Sequence, residues 1–140
     1  MSGGNSIHIR VKNDSLAPLL GPKLDRELRK NILRNSVFEL VNDQDQADLY
    51  LLVTLRTYED YSEAFQSEDT LLAAGLNLQT TARMELSDSK GINLYEDNVE
   101  ADSSVLRRVS THVPDDAMAL QALAESLASK ISLSLYNQAW

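Results

Sequence analysis

Two segments of the chain repeat leucine at helical spacing, and they flank a region in which apolar residues alternate. Such spacing gives each helix one apolar face, which must be buried against another layer of structure. In the first helix, which is predicted to begin between Pro18 and Pro22, that face consists of Leu20, Leu24, Leu28 and Ile32. In the second, predicted from Pro114 to about Tyr136, it consists of Leu120, Leu123, Leu127, Ile131 and Leu135.

The alternating segments predict the sheet that these helices cover. A strand over residues 47–58 is apolar on one face and half apolar on the other, which is typical of a central strand, whereas the acidic strand 92–101 is typical of an exposed edge. The predicted fold is an α+β two-layer sandwich with a mostly antiparallel sheet of four to five strands, both helices on one face, and the order β-α-β-β-β-β-α. The remaining strands are predicted at 6–12, 37–41 and 77–86, with a long loop at 59–75 and a linker at 102–114.

Length and composition favour a single domain. The chain has 140 residues, within the usual size of one domain, and we predict one domain over residues 6–140 after a disordered, tag-like start at residues 1–5. Because it contains no cysteine, disulfides and cysteine-based zinc sites are excluded. No apolar run approaches the roughly 20 residues that a membrane-spanning helix needs.

Charge is distributed unevenly along the sequence. Residues 1–36 carry seven basic and three acidic side chains, whereas residues 37–106 carry three basic and fifteen acidic ones, and the net charge of the whole chain is −8. Nucleic acid is a poor partner for so acidic a chain, because its binding depends on neutralising phosphates. An anionic partner would meet the basic first strand and helix.

The sequence offers little catalytic chemistry. His8 and His112 are the only histidines, and neither has a second ligand at metal-binding spacing. Paired acids such as Glu59-Asp60 and Glu68-Asp69 could serve acid–base catalysis, but they also fit a solvated acidic loop. We therefore predict no catalytic residues, no metal site and no cofactor.

Two surfaces are candidates for binding. The exposed side of the first helix could contact glycolipid phosphates or another anion, although a solubilising face with local pairs such as Asp25–Arg29 is the alternative. Its basic residues are Lys23, Arg26, Lys30 and Arg34. The second surface is the predicted long loop, whose apolar side chains could contact a partner or could instead cap one end of the core. Its candidate contact residues are Tyr58, Tyr61, Phe65, Leu71 and Leu72.

Several segments together resemble the LptE-like lipopolysaccharide-assembly lipoproteins. Residues 7–15, Ile-His-Ile-Arg-Val-Lys-Asn-Asp-Ser, resemble the family's first strand ending in an Asn-x-Ser/Thr turn, and the helix 19–33 follows as in the family. Residues 38–41 and 46–51 resemble its second strand and the Ala-Asp step into the third. Residues 119–128, Ala-Leu-Gln-Ala-Leu-Ala-Glu-Ser-Leu-Ala, resemble its closing helix.

The resemblance implies a non-enzymatic lipoprotein at the periplasmic face of the outer membrane, held there by an N-terminal lipid anchor that this sequence lacks. Such proteins pair with an outer-membrane β-barrel that inserts lipopolysaccharide, and they contact the lipid itself. If lipid is bound here, the basic helix is the expected contact, and the acidic, aromatic loop would suit the barrel. Two alternatives remain: a periplasmic lipoprotein that assembles or regulates another envelope complex, and a small hydrolase or binding protein for soluble ligands.

Overall fold

Five strands and two helices make up the chain in the computed structural model, which describes residues 6–35, 38–65, 73–108 and 115–137. The element order is the predicted β-α-β-β-β-β-α, with a short 3₁₀ turn before the third strand. The bounds are β1 Ser6–Asn13, α1 Leu20–Asn35, β2 Glu39–Leu40, β3 Leu49–Phe65, β4 Ala73–Asp88, β5 Asn93–Arg108 and α2 Asp115–Tyr136.

The sheet has the strand order β2-β1-β3-β4-β5, so β3 is central and β5 is an edge, as predicted. It is mixed, however, and not mostly antiparallel: β1 pairs in parallel with both β2 and β3, whereas β3, β4 and β5 are antiparallel. The physical reason is that α1 carries the chain back across the sheet after β1, so the next strands enter in the direction of β1.

Both helices pack on one face of the sheet, and this side contains the core. Leu24 and Leu28 of α1 and Leu123 and Leu127 of α2 are fully buried in one cluster with alternate residues of the strands. Side chains on the opposite face, among them Arg10, are half-buried or exposed. The predicted two-layer α+β sandwich is therefore confirmed.

The strands are longer than the sequence predicted. Residues 59–65, predicted as part of a loop, continue β3 and pair with β4 as far as Phe65 and Ala73. Residues 102–108, predicted as a linker, continue β5 along β4 to Arg108. Polar and acidic side chains obscure the alternation there, and the backbone ladder rather than an apolar pattern holds these strands together.

A β-bulge at Arg56 explains the break in pattern within β3. Leu55 pairs with Ala82, but Thr57 pairs with Thr81, so Arg56 is an extra residue in the ladder. The bulge exchanges the two faces: odd-numbered residues up to Leu55 face the helices, whereas after it the even-numbered Tyr58 packs against the core. The simple alternation of the sequence therefore ends at this position.

The turn that leads into α1 is closed by one asparagine side chain. Asn13 Oδ1 accepts hydrogen bonds from the Ser15 backbone N–H at 3.0 Å and from Ser15 Oγ at 2.6 Å, and Asn13 Nδ2 donates to the Ala17 carbonyl at 2.8 Å. These bonds stop β1, as the Asn-Asp-Ser sequence predicts. They also close the short connection between the end of β1 and the start of α1.

Candidate functional site

The outward side of α1 carries the four predicted anion-contact residues, which we call the basic stripe: Lys23, Arg26, Lys30 and Arg34. At about 100° per residue, their positions lie within one narrow arc of the helix, opposite the buried Leu24 and Leu28. Arg26, Lys30 and Arg34 are exposed and Lys23 is half-buried. The four residues therefore share one side of α1, and their role as an anion contact stays a prediction.

The sequence reasoning missed an acidic residue beneath this stripe. Glu27, whose side chain is only 8% exposed, lies 3.4 Å from Lys30 Nζ. The side-chain amide of Gln121 in α2 donates to Glu27 Oε2 at 3.0 Å. Glu27 thus links the two helices and partly neutralises Lys30. The available signal was its spacing, three positions after Leu24 and seven after Leu20, which places it on the flank of the apolar face; its pairing with Gln121 could not be read from the sequence.

The local pair predicted on this helix is also present. Arg29 Nε lies 3.1 Å from Asp25 Oδ1, and Arg29 Nη2 donates to the Ile9 carbonyl at 3.3 Å. In the part of the chain that the structure describes, Arg26 and Arg34 form no ion pair. The same holds for the half-buried Lys23, so Arg26 and Arg34 are the exposed members of the basic stripe whose charge remains available to an external anion.

The predicted partner-contact residues divide into three groups. Tyr58 is half-buried and packs against the core with part of its side chain. Tyr61 and Phe65 belong to β3 and pair in register with Asn77 and Ala73 of β4; the described part of the structure does not include their side chains. Leu71 and Leu72 lie outside the described residues.

The face of the sheet that lies opposite the helices, which we call the open face, carries basic residues on one side and acidic residues on the other. On β1 it carries His8, half-buried beside Tyr50, and the exposed Arg10, whereas on β5 it carries Glu96 and Glu100. Between them, Arg83 donates to Glu85 at 2.8 Å and to Glu96 at 2.5 Å. The hydrogen bond that Arg83 donates to Glu85 and the negative charge of Glu96 raise the pKa of Arg83, which keeps an already charged guanidinium charged.

The described residues do not assemble a cluster of three or more metal-ligating side chains of His, Asp or Glu. His8 Nδ1 instead lies 3.3 Å from the Val41 carbonyl, and His112 falls outside the described residues, as do Glu68 and Asp69. Neither described helix has the length and hydropathy needed to cross a bilayer. The surface with the clearest binding chemistry is therefore the basic stripe.

Solved structures with the same fold include several lipoproteins. A minor lipoprotein from Acinetobacter baumannii is 17% identical, with a TM-score of 0.60 and 94% of this chain and 91% of that chain covered. The rare lipoprotein B from Shewanella oneidensis is 13% identical, with a TM-score of 0.54 and coverages of 92% and 93%. A hypothetical protein from Chlamydia trachomatis is 10% identical, with a TM-score of 0.64 and coverages of 94% and 95%. At these identities, the similarity shows the fold alone.

The sequence itself identifies the family. A comparison with curated protein sequences finds no significant match. The family model for LptE, described as lipopolysaccharide-assembly, matches residues 4–138, which is nearly the whole chain and includes both helices and all five strands. The chain therefore belongs to the LptE lipopolysaccharide-assembly family.

Proposed function

We propose that this protein is a non-enzymatic lipoprotein of the outer membrane that pairs with a β-barrel translocon to assemble lipopolysaccharide. The match to the LptE family over residues 4–138 is the observation that carries this proposal. Its natural form would be anchored by an N-terminal lipid at the periplasmic face of the membrane. The lipoproteins from Acinetobacter baumannii and Shewanella oneidensis share the fold and are consistent with that location.

The basic stripe is the proposed contact for the phosphates of lipopolysaccharide. Guanidinium groups suit this task, because their planar donors can form paired hydrogen bonds with phosphate oxygens. Arg26 and Arg34 are exposed and form no ion pair with any described residue, so binding a phosphate would not require an internal ion pair to break. The acidic β5 side of the sheet repels anions and is not part of this contact.

Substitution of the two free arginines tests the lipid contact. Arg26→Glu with Arg34→Glu should weaken binding to purified lipopolysaccharide by at least about tenfold, because two favourable charges become repulsive. Lys30→Glu is a less specific change, since it would place a second carboxylate beside Glu27 and destabilise the helix pair. Arg56→Glu with Lys90→Glu is the matched control, because both residues are exposed and lie outside β1 and α1. Equal binding by the stripe variant and the unaltered protein would remove α1 from the lipid contact.

The β3–β4 end of the sheet is the proposed barrel contact, through the set Tyr58, Tyr61, Phe65, Leu71 and Leu72. The support is that β3 and β4 continue to Phe65 and Ala73, well past Asn13, the residue at which β1 ends and which pairs with Leu55. Photo-crosslinking residues introduced at Tyr61 and Phe65 should yield a covalent product with the barrel in intact cells. A photo-crosslinking residue introduced at Leu94, at the opposite end of the sheet, should yield no product with the barrel. Crosslinking at Leu94 alone would place the barrel contact elsewhere.

A further inference from the structure

Three exposed leucines accompany the basic stripe. Leu19 and Leu33 are each 62% exposed, and Leu16, in the turn before α1, is 90% exposed. Leu19 and Leu33 are fourteen positions apart, which is close to four full helical turns, so they lie on the same outward arc as Arg26 and Lys30. The outward face of α1 therefore has a basic middle with an apolar side chain at each end.

This combination fits a lipid–water interface better than a soluble anion. A free phosphate gains nothing from leucines that lie about 21 Å apart on a helix. At a bilayer surface, in contrast, leucines enter the boundary between headgroups and acyl chains while basic side chains meet the phosphates. Such a surface is extended enough for Leu19, Arg26 and Leu33 to contact it at once.

The charge distribution of the rest of the fold favours the same orientation. The open face of the sheet, which carries Glu85, Glu96 and Glu100, lies on the side opposite the helices. Of the two acidic residues in α1, Asp25 is paired with Arg29, and Glu27 is nearly buried against Lys30. Contact through α1 therefore brings the basic part of the chain to an anionic surface and keeps the acidic sheet face away from it.

We infer that α1 is a peripheral membrane contact: the basic stripe with Leu16, Leu19 and Leu33 lies flat on a bilayer containing anionic phospholipid. The inference rests on the membrane location in the proposed function, but it requires neither the barrel nor lipopolysaccharide. Each cation that contacts such a surface strengthens partitioning roughly fivefold. The contact would fix the orientation of the domain relative to the membrane.

Vesicle sedimentation tests this inference with the full chain. The protein should partition onto phosphatidylcholine vesicles that contain phosphatidylglycerol and much less onto phosphatidylcholine alone. Arg26→Glu with Arg34→Glu should lower the partition coefficient at least about 25-fold, from two cations at roughly fivefold each. Arg56→Glu with Lys90→Glu changes the net charge by the same amount away from β1 and α1 and should retain most of the binding. Equal losses in the two variants, or no preference for the anionic vesicles, would overturn the inference.

A second measurement tests the leucines. Leu19→Ser with Leu33→Ser should weaken partitioning by roughly tenfold, whereas Ile92→Ser with Leu94→Ser, at the exposed β4–β5 hairpin, should not. Because the chain contains no cysteine, Leu33→Cys labelled with an environment-sensitive fluorophore should show a blue shift on anionic vesicles, and Leu94→Cys should show none. A shift at Leu94 and none at Leu33 would contradict the orientation. If the protein copurifies with a barrel but does not bind vesicles, this inference is wrong and the proposed function stands. If it binds vesicles but does not copurify with a barrel, the proposed function is wrong and this inference stands.

Discussion

Truncation of Leu127 tests whether α2 closes the core as the structure indicates. Leu127 is 0% exposed and belongs to the cluster that joins both helices to the sheet. Leu133, six positions further along the same helix, is 60% exposed. The same substitution to alanine at these two positions removes the same atoms, so any difference in stability reports burial and not the helix propensity of the residue.

The expected loss at Leu127 follows from its complete burial. Replacing leucine with alanine removes about three carbon groups, and at about 0.8 kcal/mol each the lost transfer free energy is about 2.4 kcal/mol. The cavity that remains adds to this, so we expect the free energy of unfolding to fall by about 3–4 kcal/mol for Leu127→Ala. For Leu133→Ala we expect a change within about 0.5 kcal/mol.

Urea denaturation followed by circular dichroism measures both values, provided that the m-value stays the same. In a thermal scan, the loss at Leu127 corresponds to a decrease in Tm of about 10 °C for a domain of this size. Equal losses at Leu127 and Leu133, or a negligible loss at Leu127, would refute the assignment of the buried face of α2 and with it the packing of the two layers.

Three further substitutions probe individual contacts. Glu27→Ala should lower the free energy of unfolding by about 1–3 kcal/mol, because Gln121 loses a buried acceptor; Glu125→Ala, which alters the exposed partner of the same amide, should cost less than about 0.5 kcal/mol. Gly21→Ala should lower the free energy of unfolding, measured in urea, by about 1 kcal/mol, although alanine has the better helix propensity. The reason is that a Cβ at this position would lie 3.3 Å from the side chain of Asn13, which is held by three hydrogen bonds. Gly91→Ala should cost about 1–2 kcal/mol because its φ is 81°, and Lys90→Ala, measured in the same way, should be nearly neutral.

Much of the fold could be predicted from the sequence, because the spacing of the apolar residues indicates which side chains are buried. Leu20, Leu24, Leu28 and Ile32 are all fully buried, as their four-residue spacing indicates. The pairing partners of β1 could not be read in the same way. Alternation shows which residues share a face, but it contains no information on which strands are neighbours or whether they run parallel, so the mixed sheet was missed.

The long ends of β3 and β5 were missed for a different reason. The Arg56 bulge reverses the alternation within β3, and acidic residues such as Glu59 then occupy strand positions that usually favour apolar or aromatic side chains. The exposure of Arg26, Lys30 and Arg34 could be read from the sequence because exposed charges follow the same helical period as the buried face. Their role as an anion contact stays a prediction. Glu27 was missed because its burial depends on contact with Gln121, which is 94 positions away in the sequence.

Affinity purification of the natural full-length protein from detergent-solubilised membranes tests the central proposal most directly. Mass spectrometry of the purified material should identify a large outer-membrane β-barrel in an amount nearly equal to that of the protein. Purification with a different envelope complex, or as a soluble protein without any partner, would contradict a role in lipopolysaccharide assembly through a barrel translocon.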